Sequence, residues 1–452
     1  MARPAVADAG TNGEASQTDA ETNAEPDPPE LDLLALRDGL PDVVDTPEAL
    51  TAACADIAAG TGPVAIDAER ASGYRYSSRA YLIQLRRHGS TTHLIDPTAF
   101  DDLAPLERAL DANEWILHAA SQDLACLREV GLEPTSLFDT ELAARLLGHP
   151  RVGLAALVEA LCGKRMRKEH SAADWSRRPL PTAWLDYAAL DVEALVEIHD
   201  VLAQELVNAG KLEWAQQEFS HVMAQRSTPR VDPWRRTSGM HKARGRRSVA
   251  AVRELWLARD QIATRRDVTP GRVLPDSAIV VAAHALPTDR SGLLRLKGFH
   301  GRGAERYADN WVRAIRTARE LPESELPPVA VRAEGPPPAR SWPERNPEAA
   351  GRLAAARAAL TVVSEEHAVP VENLLTPDVV RRVLWAPPAA RERVELTAAV
   401  TARLTEMGAR PWQVDLVGPV LRDAILNPRP PATVEPESPE PELSETETDS
   451  AS

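Results

Sequence analysis

The sequence predicts an α/β domain in its first half and all-α domains in its second half. The apolar run GPVAIDAE at residues 62–69 has the composition of a buried strand. The stretch DYAALDVEAL at residues 186–195 is typical of a helix instead. Beyond residue 248, apolar residues recur at helical spacing between turns rich in Pro and Gly. These three observations together indicate a strand-containing region followed by purely helical regions.

Changes of composition divide the 452-residue chain into several parts. Both ends are rich in Pro, Glu, Ser and Thr and poor in apolar residues, which predicts disorder. A basic stretch and a Pro-rich stretch have the breaks that are typical of linkers. The predicted parts are a disordered acidic tail (1–30), the α/β domain (31–225), a basic linker (226–247), a helical domain (248–321), a Pro-rich linker (322–347), a second helical domain (348–427) and a disordered acidic tail (428–452).

Charge is distributed unevenly along the chain. Of the total of −15, each tail contributes −6, because each holds seven acidic residues and one arginine. Between Arg226 and Arg319, 21 Lys and Arg residues face 8 Asp and Glu residues, a net charge of +13. Such a basic stretch is typical of a phosphate-binding surface, with a merely solvated charge run as the alternative. The candidate nucleic-acid contacts here are Arg235, Arg236, Lys242 and Lys297.

Three acidic clusters in the first half of the chain point to one shared site. Asp67 and Glu69 are two positions apart in the predicted strand, so their side chains lie on the same face. Tyr187 and Asp191 are four positions apart in the predicted helix, so they too share a face. With Asp123 between them in sequence, we expect a pocket of four carboxylates and one phenol.

A pocket of this kind favours metal-dependent chemistry. Converging carboxylates repel one another, and divalent cations relieve that repulsion. Four carboxylates suit two oxygen-seeking ions such as Mg²⁺ or Mn²⁺. A pair of metal ions can stabilise both the attacking and the leaving oxygen of a phosphoryl displacement, which indicates phosphodiester hydrolysis. Each residue alone has a plainer explanation as a solvated, capping or half-buried residue, and only their joint order favours the site.

Composition indicates an intracellular protein. Cys54, Cys126 and Cys162 lie far apart, which excludes a disulfide framework and a cysteine-rich zinc site. The first residues lack an apolar core, and no uncharged apolar run reaches the roughly 18 residues of a membrane span. We therefore expect a soluble, cytoplasmic protein with no membrane partner.

The sequence around the acidic clusters resembles the DEDD exonuclease superfamily and, within its tyrosine branch, the ribonuclease D family. The resemblance runs from about Val64 to Phe219 and is carried by VAIDAERASGYRYSSRAYLIQL, by WILHAASQDLACLREVGLEPTSLFDTELAARLLG and by the stretch from VGLAALVEALC to VEIHDVL. It implies a ribonuclease H-like fold, a mixed sheet flanked by helices, acting as a metal-dependent 3′-to-5′ exonuclease. The role it implies for Tyr187 is to orient the attacking water. The metal ligands that it implies are Asp67, Glu69, Asp123 and Asp191.

A tyrosine rather than a histidine identifies the branch. The other branch carries a histidine five positions before the last aspartate, and Asp186 occupies that position here. By the same resemblance, Asp139 is structural and lies outside the site. Arg177 and Arg178 lie just upstream of the third cluster and are candidates for a phosphate contact, with a surface ion pair as the alternative.

The first helical domain resembles the HRDC domain through LWLARDQIATRRDVTPGRVLPD and LLRLKGFHGRGAERYADNWVRAI. The resemblance implies an all-α domain that binds nucleic acid and holds structured RNA near the active site. The second helical domain looks like a more diverged HRDC domain, with packing or protein interaction as alternatives to RNA binding. The substrates implied by the resemblance are RNAs with a free 3′ end, such as transfer RNA precursors and other small structured RNAs, from which nucleoside 5′-monophosphates are released.

Two other functions stay open. One is a 3′-to-5′ DNA exonuclease with the same two-metal chemistry, because recognition of the ribose 2′-hydroxyl is not readable from the sequence. The absence of polymerase and helicase motifs argues against it. The other is a non-catalytic RNA-binding scaffold, and the intact carboxylates together with Tyr187 argue against that one.

Overall fold

The computed structural model describes residues 31–167, 173–226, 230–301, 305–330 and 335–429. The acidic tail predicted at 1–30 lies outside the described residues. So does the part of the second predicted tail that follows residue 429.

In the described chain, six strands form one mixed sheet in the order β1-β4-β3-β2-β5-β6. β2 pairs antiparallel with β3 and parallel with β5, and β5 pairs parallel with β6. The central strand β2 is the apolar run that the sequence singles out, and this arrangement confirms the predicted mixed sheet. The strands are β1 (Val43–Val44), β2 (Thr61–Arg70), β3 (Ala80–His88), β4 (His93–Ile95), β5 (Glu114–Leu117) and β6 (Ser136–Asp139).

Helices α1 to α8 complete the α/β domain. α6 packs against β2 and β3, and α7 packs against β2, β3 and β5. The helix boundaries follow from local chemistry: α4 begins after Asp139, which caps it, and ends at Gly148 in the left-handed conformation. The helices are α1 (Pro47–Ala59), α2 (Ala104–Leu110), α3 (Leu124–Arg128), α4 (Thr140–Leu147), α5 (Leu154–Cys162), α6 (Thr182–Glu193), α7 (Leu195–Asn208) and α8 (Leu212–Ala224).

The first helical domain has a hydrophobic core of its own. Phe299 and Trp311 are fully buried in it, and α9 packs against the last helix of the domain. The labelled helices are α9 (Arg246–Arg266), α10 (Pro270–Val273), α11 (Asp276–Ala285), α12 (Arg290–Leu294) and α13 (Ala308–Glu320). The predicted all-α character of this region is confirmed.

The second helical domain shares one continuous hydrophobic core with the α/β domain. Its last helix lies against α8, where Trp412 stacks on Trp214 with ring centroids 5.0 Å apart. The helices are α14 (Trp342–Arg345), α15 (Pro347–His367), α16 (Val371–Leu374), α17 (Pro377–Trp385), α18 (Arg393–Glu406) and α19 (Pro411–Leu426).

Among the residues that the structure describes, no helix is both long enough and apolar enough to cross a membrane.

Candidate active site

The topology of the sheet explains how the first two acidic clusters meet. Asp67 and Glu69 lie near the carboxyl end of β2 and, two positions apart, on one face of the sheet. β5 runs parallel to β2 with Trp115 opposite Val64, so the two strands end at the same edge of the sheet. Asp123 follows β5 after one turn of 3-10 helix. Strand order, and not closeness in sequence, therefore brings Asp123 toward the first acidic pair.

Helix α6 supplies the third cluster. It packs against β2, and its four-residue spacing places Tyr187 and Asp191 on one face. Carboxylate oxygens of Asp67, Glu69 and Asp191 lie within 4.8 Å of one another. The phenol of Tyr187 is hydrogen-bonded to Asp191. Three of the four predicted carboxylates and the predicted phenol thus converge on one point.

The fourth predicted carboxylate stands at the side of this group. Asp123 lines the same cleft, which has a volume of about 930 Å³, together with the other three acids and Tyr187. One of its carboxylate oxygens, Oδ1, lies 3.5 Å from Nη2 of Arg70. Asp123 therefore belongs to the cleft, while the tight group of three carboxylates forms its centre.

Burial and mutual repulsion govern the electrostatics of the cleft. Burial raises the pKa of Glu69 to about 10, and the charges of Asp67, Asp191 and Asp123 add to the rise. Burial, reinforced by Asp67, raises the pKa of Asp123 to about 8. The pKa values of Asp67 and Asp191 are also raised, mainly by burial. The protein alone does not neutralise this cluster, and an all-oxygen donor set with surplus negative charge fits divalent cations.

Asp139 has a structural role next to the cleft. Its carboxylate accepts hydrogen bonds from the backbone amides of Ala119 (3.1 Å) and Ala120 (2.9 Å), in the turn that leads to Asp123. It also caps α4 by accepting from the amides of Glu141 and Leu142. Asp139 therefore holds the turn that positions Asp123.

Arg70 is a cleft residue that the sequence does not reveal. The period of two would place it on the face opposite Glu69, but the pairing of β2 with β3 shifts register between these two residues. Its Nη1 donates to the backbone oxygen of Gln122 at 2.8 Å, and its charge opposes the rise that burial causes in the pKa of Glu69 and of Asp123. Irregular pairing of this kind leaves no signal in the alternation of residues.

His118 is a second cleft residue that the sequence analysis misses. It follows directly on Leu117, the last residue of β5, and lines the cleft beside the acids. The available signal was its place at the carboxyl end of the apolar run WIL, at the sheet edge where Asp67 and Asp123 also lie.

Two of the arginines predicted to contact RNA form ion pairs within the protein. Arg178 forms a bidentate ion pair with Asp96 (2.5 and 2.6 Å) and donates to the backbone oxygen of Tyr81 at 2.8 Å. Arg235 lies 4.2 Å from the ring centroid of Trp234 and forms an ion pair with Asp232 at 3.1 Å. These contacts give both guanidinium groups a structural role, and contact of either arginine with RNA stays a prediction.

The other basic candidates are exposed. Arg177 lies over the ring of Trp184, with 6.0 Å to its centroid. Their contacts with RNA stay predictions. These other candidates are Arg177, Arg236, Lys242 and Lys297.

Comparison with protein families gives matches along much of the chain. Residues 41–207 match a family described as 3′-5′ exonuclease, and residues 248–315 match the HRDC domain. Residues 335–425 match a family described as the 3′ to 5′ exonuclease C-terminal domain.

Individual proteins show the same likeness. A ribonuclease D of Acidiphilium cryptum is 35% identical over 311 residues, which is 66% of this chain and 77% of the relative. A solved structure of a protein from Bifidobacterium adolescentis is 38% identical with a TM-score of 0.80, covering 88% of this chain and all of that one. Escherichia coli RNase D, described as an exoribonuclease involved in structured RNA processing, is 26% identical with a TM-score of 0.62, covering 82% and 99% of the two chains.

Proposed function

The chain belongs to the ribonuclease D family of 3′-to-5′ exoribonucleases, and we propose that its carboxylate cluster is the catalytic centre of this activity. The observation that carries the proposal is the convergence of three carboxylates within 4.8 Å of one another, with a phenol hydrogen-bonded to one of them. The proposed metal ligands are Asp67, Glu69, Asp123 and Asp191, and the proposed water-orienting residue is Tyr187.

The family is metal-dependent, and the donor set here fits two divalent cations, Mg²⁺ or Mn²⁺. Hard cations of this kind prefer carboxylate oxygens, and the pKa of Glu69 is raised first by burial and then by the negative charges of the neighbouring acids. When bound, such ions supply a water nucleophile at neutral pH and stabilise the charge on the leaving 3′ oxygen.

Tyr187 orients water and does not act as a base. Burial, then the charges of Asp191, Glu69 and Asp67, raise the pKa of its phenol above the ordinary value, so the hydroxyl keeps its proton at neutral pH. A phenol that donates a hydrogen bond to Asp191 also has lone pairs on its oxygen, which are hydrogen-bond acceptors. That oxygen accepts a hydrogen bond from the nucleophilic water and so aligns it with phosphorus.

We propose RNA precursors with structured bodies and free 3′ ends, transfer RNA precursors among them, as the substrates. Residues 246–321 hold 15 basic and 8 acidic residues, a net charge of +7, which suits binding to the phosphates of a folded RNA. The relative from Escherichia coli is described as an enzyme of structured RNA processing, and the same class of substrate fits this chain. A cytoplasmic location is part of this proposal.

The test is incubation of the purified protein with a 3′-extended transfer RNA and Mg²⁺ or Mn²⁺, comparing wild type with Asp191→Asn. The control is Asp186→Asn, on the same helix but outside the carboxylate cluster. We expect stepwise shortening by wild type and by the control, and a loss of roughly 10²–10³-fold for Asp191→Asn. Equal rates for Asp191→Asn and wild type, or undiminished activity in EDTA, would contradict the proposal.

A further inference from the structure

His118 lies in the cleft but is not part of the carboxylate cluster. It follows directly on the last residue of β5 and lines the same cleft as Asp67, Asp123 and Tyr187. The carboxylates that line the cleft with it are hydrogen-bond acceptors and proposed metal ligands. A neutral imidazole differs from them because one of its nitrogens donates a hydrogen bond and the other accepts one. Which nitrogen carries the proton decides what the ring can bind.

The hydrogen bonds around Thr140 settle the tautomer. The Nδ1 atom of His118 lies 2.9 Å from the hydroxyl of Thr140, and the same hydroxyl donates to the backbone oxygen of Leu117 at 3.3 Å. A hydroxyl has a single hydrogen, so both contacts are hydrogen bonds only if Nδ1–H is the donor to Thr140. Nε2 then carries no hydrogen and is an acceptor.

The ring is held in this state. Thr140 is fully buried at the start of α4, so the partner of Nδ1 has a fixed position. Burial lowers the pKa of His118 to about 4, and the opposed charges of Glu141 and Arg145 have smaller effects on it. At neutral pH the imidazole is therefore uncharged.

The second nitrogen of the ring, Nε2, is not used by Thr140. Because Nδ1 is directed at buried Thr140 and His118 lines the cleft, the edge of the ring that carries Nε2 is the one available to the cleft. Within the described residues, no protein group donates to Nε2. The cleft therefore presents a fixed, neutral acceptor that lacks a donor.

The substrate supplies donors of limited kinds. Phosphates are acceptors, and the four bases share no single donor position, so an acceptor for bases would select among sequences. The 2′-hydroxyl is a donor that every nucleotide of RNA carries and that DNA lacks, and the terminal nucleotide has a free 3′-hydroxyl as well. A neutral acceptor in the cleft of an exonuclease suits this group.

We propose that Nε2 of His118 accepts a hydrogen bond from a ribose 2′-hydroxyl at the 3′ end of the substrate and that His118 thereby makes the enzyme prefer RNA over DNA. The inference rests on the proposed function, since it places an RNA 3′ end in the cleft. Thr140 is the residue that fixes the tautomer, and it acts only through His118.

The variants that test the inference separate the two nitrogens. In His118→Asn the amide nitrogen can take the place of Nδ1 and keep the bond to Thr140, while nothing replaces Nε2. In His118→Gln the longer side chain places an amide oxygen near the position of Nε2 and is expected to restore part of the function. Melting temperature and Mn²⁺ binding, measured without substrate, serve as controls for folding and for the carboxylate cluster.

The substrates are short single strands that differ in one sugar: all-ribose, 2′-deoxy at the last nucleotide, 2′-deoxy at the next to last, and 3′-deoxy at the last. The measurement is the ratio of kcat/KM for the all-ribose strand to that for each analogue. A net hydrogen bond corresponds to a ratio of about five to ten for wild type at one 2′-deoxy position. We expect this ratio to fall close to one in His118→Asn and to recover partly in His118→Gln.

Two kinetic results would overturn the inference: the same 2′-deoxy ratio in His118→Asn as in wild type, or a change that follows only the 3′-hydroxyl. These failures differ from failure of the proposed function, in which wild type would shorten none of the strands. Equilibrium binding of the all-ribose and 2′-deoxy strands in EDTA gives the same comparison without hydrolysis. Equal loss of affinity for both strands in His118→Asn would also overturn it, since a merely structural histidine would have that effect.

Discussion

The two helical regions that follow the catalytic domain are attached to it in opposite ways. The C-terminal region, residues 342–426, shares a continuous apolar core with the catalytic domain. At the junction, Trp412 stacks on Trp214 and donates from its indole nitrogen to Glu218 at 2.8 Å. Lys211 also donates to the backbone oxygen of His367, across the same junction. This region completes the catalytic fold.

The HRDC region, residues 246–321, has its own core and meets the catalytic domain through polar contacts. Asp267, at the end of α9, accepts hydrogen bonds from the amides of Tyr76 and Ser77 and from the hydroxyl of Tyr81 (3.0, 2.9 and 3.2 Å). Tyr76 and Ser77 lie in the loop between β2, which carries two of the proposed catalytic acids, and β3. The HRDC region is thus a separately folded module docked on a loop of the active-site strands.

Charge separates the two regions as well. The HRDC region carries 15 basic against 8 acidic residues, whereas residues 342–426 carry 10 basic against 11 acidic residues, a net charge of −1. The positive net charge of the HRDC region suits the proposed phosphate binding, and residues 342–426 have no such excess. Two consecutive helical regions of similar length thus differ: one has the charge suited to holding RNA, and the other completes the fold of the catalytic domain. Removing all residues after the catalytic domain would therefore remove part of the hydrophobic core that this domain shares with residues 342–426.

The largest expected effect comes from breaking the shared core. Trp412→Ala removes a side chain that is 3% exposed, with its stacking on Trp214, and should lower the free energy of unfolding of the catalytic domain by about 3–5 kcal/mol. Calorimetry should show this lower stability in the unfolding transition of the catalytic domain. Cleavage of short oligonucleotides should be lost in the same transition.

The matched control is Trp311→Ala, which removes a fully buried tryptophan of the HRDC core. We expect it to destabilise only the HRDC region and to leave cleavage of short oligonucleotides unchanged. If both variants lowered one common transition equally, the distinction between an integral and a docked region would be wrong.

The second expected effect comes from breaking the docking contact. Asp267 has a φ of 45°, a left-handed conformation that suits glycine, so Asp267→Gly removes the carboxylate without backbone strain. Loss of several hydrogen bonds to a charged group should lower kcat/KM for a structured 3′-extended RNA by about tenfold, with little change for a short strand. Ala368→Gly, with a φ of 46° in the C-terminal region, controls for added chain entropy. Equal losses on both substrates would count against a docked RNA-holding module.

A smaller effect is expected from single surface charges. Lys242→Gln and Lys297→Gln each remove an exposed cation of the basic region. Each should reduce the slope of log affinity against log salt by about one for a structured RNA. Arg357→Gln, an exposed cation of the C-terminal region, should leave the slope unchanged. A change of slope in Arg357→Gln as large as in the lysine variants would show that both regions bind RNA.

The smallest expected effect is a pH dependence of docking. Although burial opposes it, hydrogen bonds from Ser77, Tyr81 and Tyr76 lower the pKa of Asp267. A lowered pKa contributes stability above the ordinary value of about 3.9 and loses it as the pH falls through the folded-state value. Protection of the amides of Tyr76 and Ser77 from hydrogen exchange should therefore decline below about pH 4, after correction for intrinsic rates. The amide of Trp412 donates to the neutral side chain of Gln217, so its protection should not decline over this pH range.

The parts of the site that were predictable are those that depend on local geometry. A period of two places Asp67 and Glu69 on one face, and a four-residue spacing does the same for Tyr187 and Asp191. Both are properties of a single element, so the residues alone suffice to predict them. Asp123 depends on the order of strands in the sheet, and resemblance to a family, not spacing, pointed to it as a ligand.

Contacts between distant parts of the chain were not predictable. The partner of Arg178 is Asp96, 82 positions away, and nothing near Arg178 distinguishes this ion pair from a free phosphate contact. Arg70 enters the cleft through a shift of strand register. Equally, the helical period of the C-terminal region shows that it packs but not on what, and its junction with Trp214 emerges only in three dimensions.

Water in the carboxylate cleft is proposed to cleave RNA from its 3′ end. The most direct measurement uses a single RNA, labelled at either end and with a free or a phosphate-blocked 3′ end, incubated with Mg²⁺ in ¹⁸O-labelled water with wild type and with Asp67→Asn. We expect wild type to release nucleoside 5′-monophosphates carrying ¹⁸O one at a time from the free 3′ end, and Asp67→Asn to release almost none. Three results would contradict this mechanism: release of the 5′ label before shortening from the 3′ end, products with 3′-phosphates, or undiminished release of nucleotides by Asp67→Asn.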